Sequence, residues 1–155
     1  MTSLLELVAA AKASGNVASL ADSMPYVRFM GMAPENSTGE LLTRMRFGAQ
    51  LIGNPVLPAL HGGTIGALLE SAAIFQLIWE SDTVAIPKII TITVDYLRSG
   101  RPVDTLARAT VTKQGRRVVN VAVEAWQEDR ARPIASANAH FLITPPEAQG
   151  RAPTA

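Results

Sequence analysis

The stretch His61-Gly62-Gly63-Thr64-Ile65-Gly66-Ala67-Leu68-Leu69-Glu70-Ser71-Ala72-Ala73-Ile74-Phe75-Gln76-Leu77-Ile78-Trp79 decides how the rest of the chain must be arranged. Leu68, Leu69, Ala72, Ala73, Ile74, Phe75, Leu77 and Ile78 do not share one stripe of a 3.6-residue wheel. A helix that is apolar all round must be enclosed by other structure or by lipid. It has 18 residues from Gly62 to Trp79, broken by Glu70, Gln76 and three glycines, and so suits a protein core better than a bilayer. One turn from Glu70 stand Gly66, Ala67, Ala73 and Ile74, none able to pair with a carboxylate. A carboxyl group in such surroundings has a raised pKa, and groups perturbed in this way cluster at functional sites. At the helix start, after Pro58, the Gly62-Gly63 pair fits two readings. It can be a tight loop-to-helix turn, or a place where free backbone N–H groups hold an anion or oxyanion.

Working outward, Leu4 to Lys12 has the composition of a short helix, with Ser3 as a cap and Gly15-Asn16 as its end. Tyr26 to Ala33 alternates weakly and is followed by a turn composition, Glu35-Asn36-Ser37-Thr38-Gly39. The spacing predicts a hairpin with a second strand over Glu40 to Phe47. Gly48 to Leu60, with Gly53, Asn54, Pro55 and Pro58, reads as an approach loop. Beyond the helix, Ser81 to Pro87 is a connection, and from Lys88 the period changes to two. Thr91, Thr93 and Asp95 point one way, and Ile90, Ile92, Val94 and Tyr96 the other. Strands over Thr105 to Lys113 and Val118 to Gln127 meet across Gln114-Gly115-Arg116. A last strand, Ile134 to Ile143, has Ala135, Ala137, Ala139, Phe141 and Ile143 as its inner face. Pro, Gly and Ala dominate the chain's end, which reads as disordered.

The expected architecture is therefore α+β, a curved antiparallel sheet of about six strands wrapped around one long apolar helix. Residues 1–24 form a helical cover, 25–144 the main domain and 145–155 a tail. A length of 155 residues fits one domain with a real core. With 14 Lys and Arg against 13 Asp and Glu, the net charge of +1 gives no basic field for nucleic acid. Cysteine is absent and only His61 and His140 supply imidazoles, which leaves no disulfide, no thiolate nucleophile and no Cys- or His-rich metal site. No basic leader precedes an apolar run at the N-terminus, so a cytoplasmic protein without a membrane partner is expected.

Asn54-Pro55-Val56-Leu57-Pro58-Ala59-Leu60-His61-Gly62-Gly63 followed by Glu70, and then Val94-Asp95-Tyr96-Leu97-Arg98, resembles the hotdog-fold thioesterases of the PaaI (phenylacetic acid degradation) type. The likeness runs from about Phe47 to Ile143, and Gly115-Arg116-Arg117 adds to it. The resemblance implies that Gly62 gives its N–H to a thioester carbonyl and that Glu70, where many members have Asp, is nucleophile or general base. His61 would orient the loop, Asn54 stands near a polar position of the family's approach loop, and Gly63 and Thr91 would line the substrate. Arg98, Arg116 and Arg117 lie at strand ends or turns, where arginine suits phosphate recognition, here that of coenzyme A.

The reaction expected is hydrolysis of acyl-CoA to free acid and coenzyme A, with no cofactor and no metal. The alternatives are a non-catalytic acyl-CoA-binding hotdog module and a hotdog enoyl-CoA hydratase or dehydratase. A serine hydrolase is disfavoured, because Ser71 has no Gly-x-Ser-x-Gly elbow. Helix geometry adds one expectation. Gly62 and Glu70 are separated by about 12 Å along one helix, too far to act on one carbonyl, so the site is expected to be shared between two chains of a homodimer or dimer of dimers.

Overall fold

The computed structural model describes residues 3–82 and 85–143. Three helices lead the chain: α1 (Leu4–Ser14), α2 (Ser19–Ser23) and α3 (Pro25–Phe29). A capping box starts α1, with Ser3 Oγ accepting from the Glu6 N–H at 3.2 Å and the Glu6 carboxylate accepting from the Ser3 N–H at 2.6 Å. Gly15, at φ +68°, ends it in a left-handed cap. The strand expected from Tyr26 is not there. Pro25 occupies the first helical turn, where its fixed φ and missing N–H cost nothing, and Tyr26–Phe29 continue as α3. Gly31, at φ +66°, then turns the chain into β1 (Met32–Ser37), which pairs with β2 (Glu40–Met45). The turn between them is only Thr38-Gly39, both with positive φ, which matches the twist of the flanking strands. Glu35, Asn36 and Ser37, expected in that turn, belong to β1.

A short 3-10 turn, Ala49–Leu51, leads into a two-stranded hairpin of β3 (Ile52–Asn54) and β4 (Ala59–Leu60), so the approach loop is more ordered than its prolines suggest. The long helix α4 (Gly62–Glu80) follows, then β5 (Lys88–Tyr96), β6 (Thr105–Gln114), β7 (Val118–Trp126) and β8 (Ala135–Leu142). Six strands form one antiparallel sheet in the order β1-β2-β6-β7-β8-β5. The inner face of β8 is as expected: Ala135, Ala137, Ala139 and Phe141 are buried, and the small residues let α4 lie close to the sheet. From Thr144 the expected tail lies outside the described residues.

Parity on β5 departs from the expectation at one residue. A bulge between Ile89 and Thr91 leaves Ile90 without a cross-strand partner and 53% exposed, and Ile89 packs on the core in its place. Ile65, Leu68, Leu69, Ala72, Ala73, Phe75, Leu77 and Ile78 of α4 are buried, and from Thr64 to Trp79 no residue is fully exposed. By length and composition α4 could cross a membrane, yet its apolar side chains are the centre of the protein core. Val8, Ala11, Val17, Leu20 and Ala21 join that core, so the N-terminal cover and the sheet share one interior. The cover also runs past residue 24, since α3 continues it to Phe29.

Candidate active site

The first four N–H groups of a helix have no intrahelical acceptor. At α4, His61 supplies acceptors for three of them. Its ring Nδ1 accepts from the Gly63 N–H at 2.8 Å, and its carbonyl accepts from the N–H groups of Thr64 at 2.9 Å and Ile65 at 3.3 Å. The His61 N–H itself donates to the Leu51 carbonyl at 2.8 Å, which ties the helix start to the 3-10 turn before β3. Gly53 permits that approach, because a Cβ there would come within 2.7 Å of His61 Cα. With Nδ1 accepting, the hydrogen-bond network puts the ring proton on Nε2. The Gly62 N–H makes no hydrogen bond among the described residues. Of the two glycines, Gly62 therefore has the free donor among the described residues, and the Gly63 N–H is occupied by the His61 ring.

Tyr96 holds the Gly62 peptide from the other side. It ends the inward row of β5, and its hydroxyl donates to the Gly62 carbonyl at 2.8 Å. Its ring lies so close that a Cβ on Gly62 would stand 3.3 Å from it. Gly62 lines an open cavity of about 430 Å³ with Leu60, Ile65, Tyr96 and Arg98. The role of Tyr96 was missed from the sequence, although its place in the inward row of β5 and its aromatic ring were both visible there.

Glu70 lies two turns further along α4. It is half-buried, makes no hydrogen bond or ion pair among the described residues, and has its pKa raised by burial. A second cavity, of about 470 Å³, has Glu70 in its wall opposite Leu4, Leu7 and Met24. No residue lines both cavities. Within one chain, then, the free N–H and the free carboxylate open onto separate spaces. Eight residues along a helix give this outcome, because the rise is about 12 Å and the rotation about 80°.

The other expected residues are dispersed. Asn54 Oδ1 accepts from the N–H groups of Val56 at 3.0 Å and Leu57 at 3.2 Å, so it shapes the hairpin tip. Thr91 Oγ1 lies 2.8 Å from His140 Nδ1, and this cross-strand pair sits on the outer sheet face, away from the buried Ala139 and Phe141. Half-buried and bonded to Thr91, His140 is more enclosed than its sequence position suggests. Arg98 lines the Gly62 cavity and donates to the Pro133 carbonyl at 2.6 Å. Arg116 and Arg117 are exposed beside the β6–β7 turn, where Val118 pairs with Leu142 and Leu142 with Lys88. Tyr96 and Gly62 are at the other end of β5, about 26 Å away at about 3.3 Å per residue. Among the described residues no group of three or more His, Asp or Glu side chains could hold a metal ion.

Residues 57–134 match the thioesterase superfamily. The medium/long-chain acyl-CoA thioesterase YigI of Escherichia coli K12 is 29% identical, over 77% of this chain and 86% of its own length. A Chromobacterium violaceum protein of known structure is 42% identical, covers 88% of this chain and 96% of its own, and superposes with a TM-score of 0.72. A putative thioesterase of Ralstonia eutropha JMP134, related to phenylacetic acid degradation, shares the fold at 23% identity and a TM-score of 0.67, over 77% of this chain and 90% of its own. The match begins inside the β3–β4 hairpin, takes in the whole of α4 and ends just before β8, and by it this chain belongs to the thioesterase superfamily, in its hotdog fold.

Proposed function

We propose that this protein hydrolyses acyl-CoA thioesters, and that each reaction uses Gly62 of one chain and Glu70 of a second copy. The observation that carries the reading is the Gly62 N–H at the start of α4, which has no acceptor among the described residues while the N–H groups of His61, Gly63, Thr64 and Ile65 are filled. A thioester oxygen held there gains a hydrogen bond that strengthens as the carbonyl becomes tetrahedral. The Glu70 carboxylate either attacks the carbonyl carbon or removes a proton from an attacking water. In the first case the C–S bond breaks to leave an anhydride on Glu70 that a water then hydrolyses, and in the second it breaks after the water adds. In both the sulfur takes a proton, and the products are free acid and coenzyme A. Burial that raises the carboxylate pKa makes it a better base. The His61-Gly62-Gly63 motif with Glu70 favours the PaaI type within the superfamily, and the name of the Escherichia coli relative favours medium or long acyl chains. Because acyl-CoA is made and used inside cells, a cytoplasmic location follows from the substrate.

Two features support a shared site. The Gly62 and Glu70 cavities are separate within a chain. Strand β5, nine residues long, is hydrogen-bonded on one side only among the described residues. Antiparallel pairing of two such edges about a two-fold axis would bring the Tyr96 end of each strand to the Lys88 end of the other. The same pairing would carry Arg116 and Arg117 of one chain toward Gly62 of its partner, in reach of the nucleotide phosphates with Arg98. A panel of acyl-CoAs of increasing chain length, assayed for thiol release, tests the activity. Turnover abolished by Glu70→Gln is the expected result, and no thiol release from any member by the wild type would refute the reading.

A further inference from the structure

We propose that the N-terminal helical cover is the acyl-chain gauge of this enzyme: the cavity between α1–α3 and the middle of α4 receives the acyl chain, and Leu4, Leu7, Met24 and Ile74 set its length. The inference rests on the thioesterase reading above. The cavity, about 470 Å³, is of the size that small-molecule sites have. Its wall is mainly carbon, and its few polar groups sit at three places, one of them the Tyr26 hydroxyl on α3. Ser23 is satisfied, donating to the Leu20 carbonyl at 2.8 Å, while Glu70 and Ser71 lie together on α4. A ligand that suits this wall is amphipathic, with its reacting carbonyl at Glu70 and an alkyl chain running toward α1. A methylene takes roughly the space of a water molecule, about 30 Å³, so a chain on the order of ten carbons fits with the usual packing gaps.

The two walls differ in origin. Ala67, Glu70, Ser71 and Ile74 come from α4, inside the segment that matches the superfamily. Leu4, Leu7, Met24 and Tyr26 come from the cover, outside it. Chain length can therefore be reset by side chains that take no part in the chemistry. The cover is also a firm wall. α1 is capped at both ends, and Val8 and Ala11 of α1 and Leu20 of α2 are buried in the core.

Each methylene that the cavity accepts should raise kcat/KM by up to about fourfold, the factor equivalent to about 0.8 kcal/mol per buried methylene. The test measures kcat/KM on acyl-CoAs from four to sixteen carbons for the wild type, Leu7→Trp, which fills the cavity, and Leu4→Ala, which enlarges it. The ratio of twelve-carbon to four-carbon kcat/KM should fall at least tenfold in Leu7→Trp. The sixteen- to twelve-carbon ratio should rise about fourfold in Leu4→Ala. Unchanged ratios in an active Leu4→Ala enzyme overturn the gauge and leave thioester hydrolysis standing. Calorimetric binding of 1-decanol, whose hydroxyl adds no second negative charge beside Glu70, separates the two ideas. If the wild type hydrolyses nothing yet binds decanol, and Leu7→Trp weakens that binding tenfold, the alkyl site stands and the thioesterase reading falls. No decanol binding by the wild type overturns the gauge.

Discussion

At the scale of single residues, the proposed chemistry rests on two groups without a partner among the described residues, the Gly62 N–H and the Glu70 carboxylate. Glu70→Gln should lower kcat by on the order of 10² or more in a thiol-release assay. It should not lower stability, because burial disfavours the charged carboxylate that the neutral amide replaces. The pH dependence has a definite sign. A carboxyl whose folded pKa is raised contributes stability at low pH that is lost as pH rises through the folded value. The melting temperature of Glu70→Gln should therefore pull ahead of the wild type with rising pH, and the two should converge in acid. Wild-type activity, which needs the carboxylate, should fall on the acid side at a pH above the ordinary glutamate value of about 4.3. Tyr96→Phe removes only the hydroxyl bonded to the Gly62 carbonyl. A loss of about 0.5–1.5 kcal/mol in denaturant unfolding is expected, with a drop in kcat larger than any rise in KM. Glu70 was legible in the sequence because its neighbours one turn away are all apolar or glycine. The pairing of Tyr96 with Gly62 was not, since 34 residues separate them and no local pattern encodes a contact of that span.

Elements follow the same division between local and distant causes. The β6–β7 hairpin and α4 could be read because their turn residues and apolar runs are contiguous in the chain. The α3 segment could not, since the weak alternation over Tyr26 to Ala33 suggests a strand, and Pro25 at a first helical turn outweighs that pattern. The bulge after Ile89 was hidden for a different reason. One extra residue changes parity without changing composition, and only pairing with His140 and Phe141 reveals it. The turn carrying Arg116 and Arg117 lends itself to a test at this scale. Neutralising these arginines should raise KM for acyl-CoA and spare thioesters of pantetheine, which lack the nucleotide. Equal losses on both substrates would assign the turn to folding instead.

For the whole molecule, the separation of the Gly62 and Glu70 cavities makes assembly part of the proposed catalysis. Mixing a Glu70→Gln chain with a Gly62→Val chain, each inactive alone, should restore about half the wild-type activity per heterodimer, since one of its two pockets has both groups intact. Verified heterodimers that stay inactive, while Gly62→Val still folds and dimerises, would place the site within one chain. Strand β5 carries a further consequence for the life of the protein before it meets a partner. Ile89, Ile90, Ile92 and Val94 lie between a lone Lys88 and Asp95, with no proline, in a ribbon whose outer edge is unpaired among the described residues. Such a segment can stack on copies of itself without limit. Newly made chains therefore race between productive pairing and insoluble stacking, and fast overexpression should drive them into inclusion bodies that slower, cooler synthesis avoids.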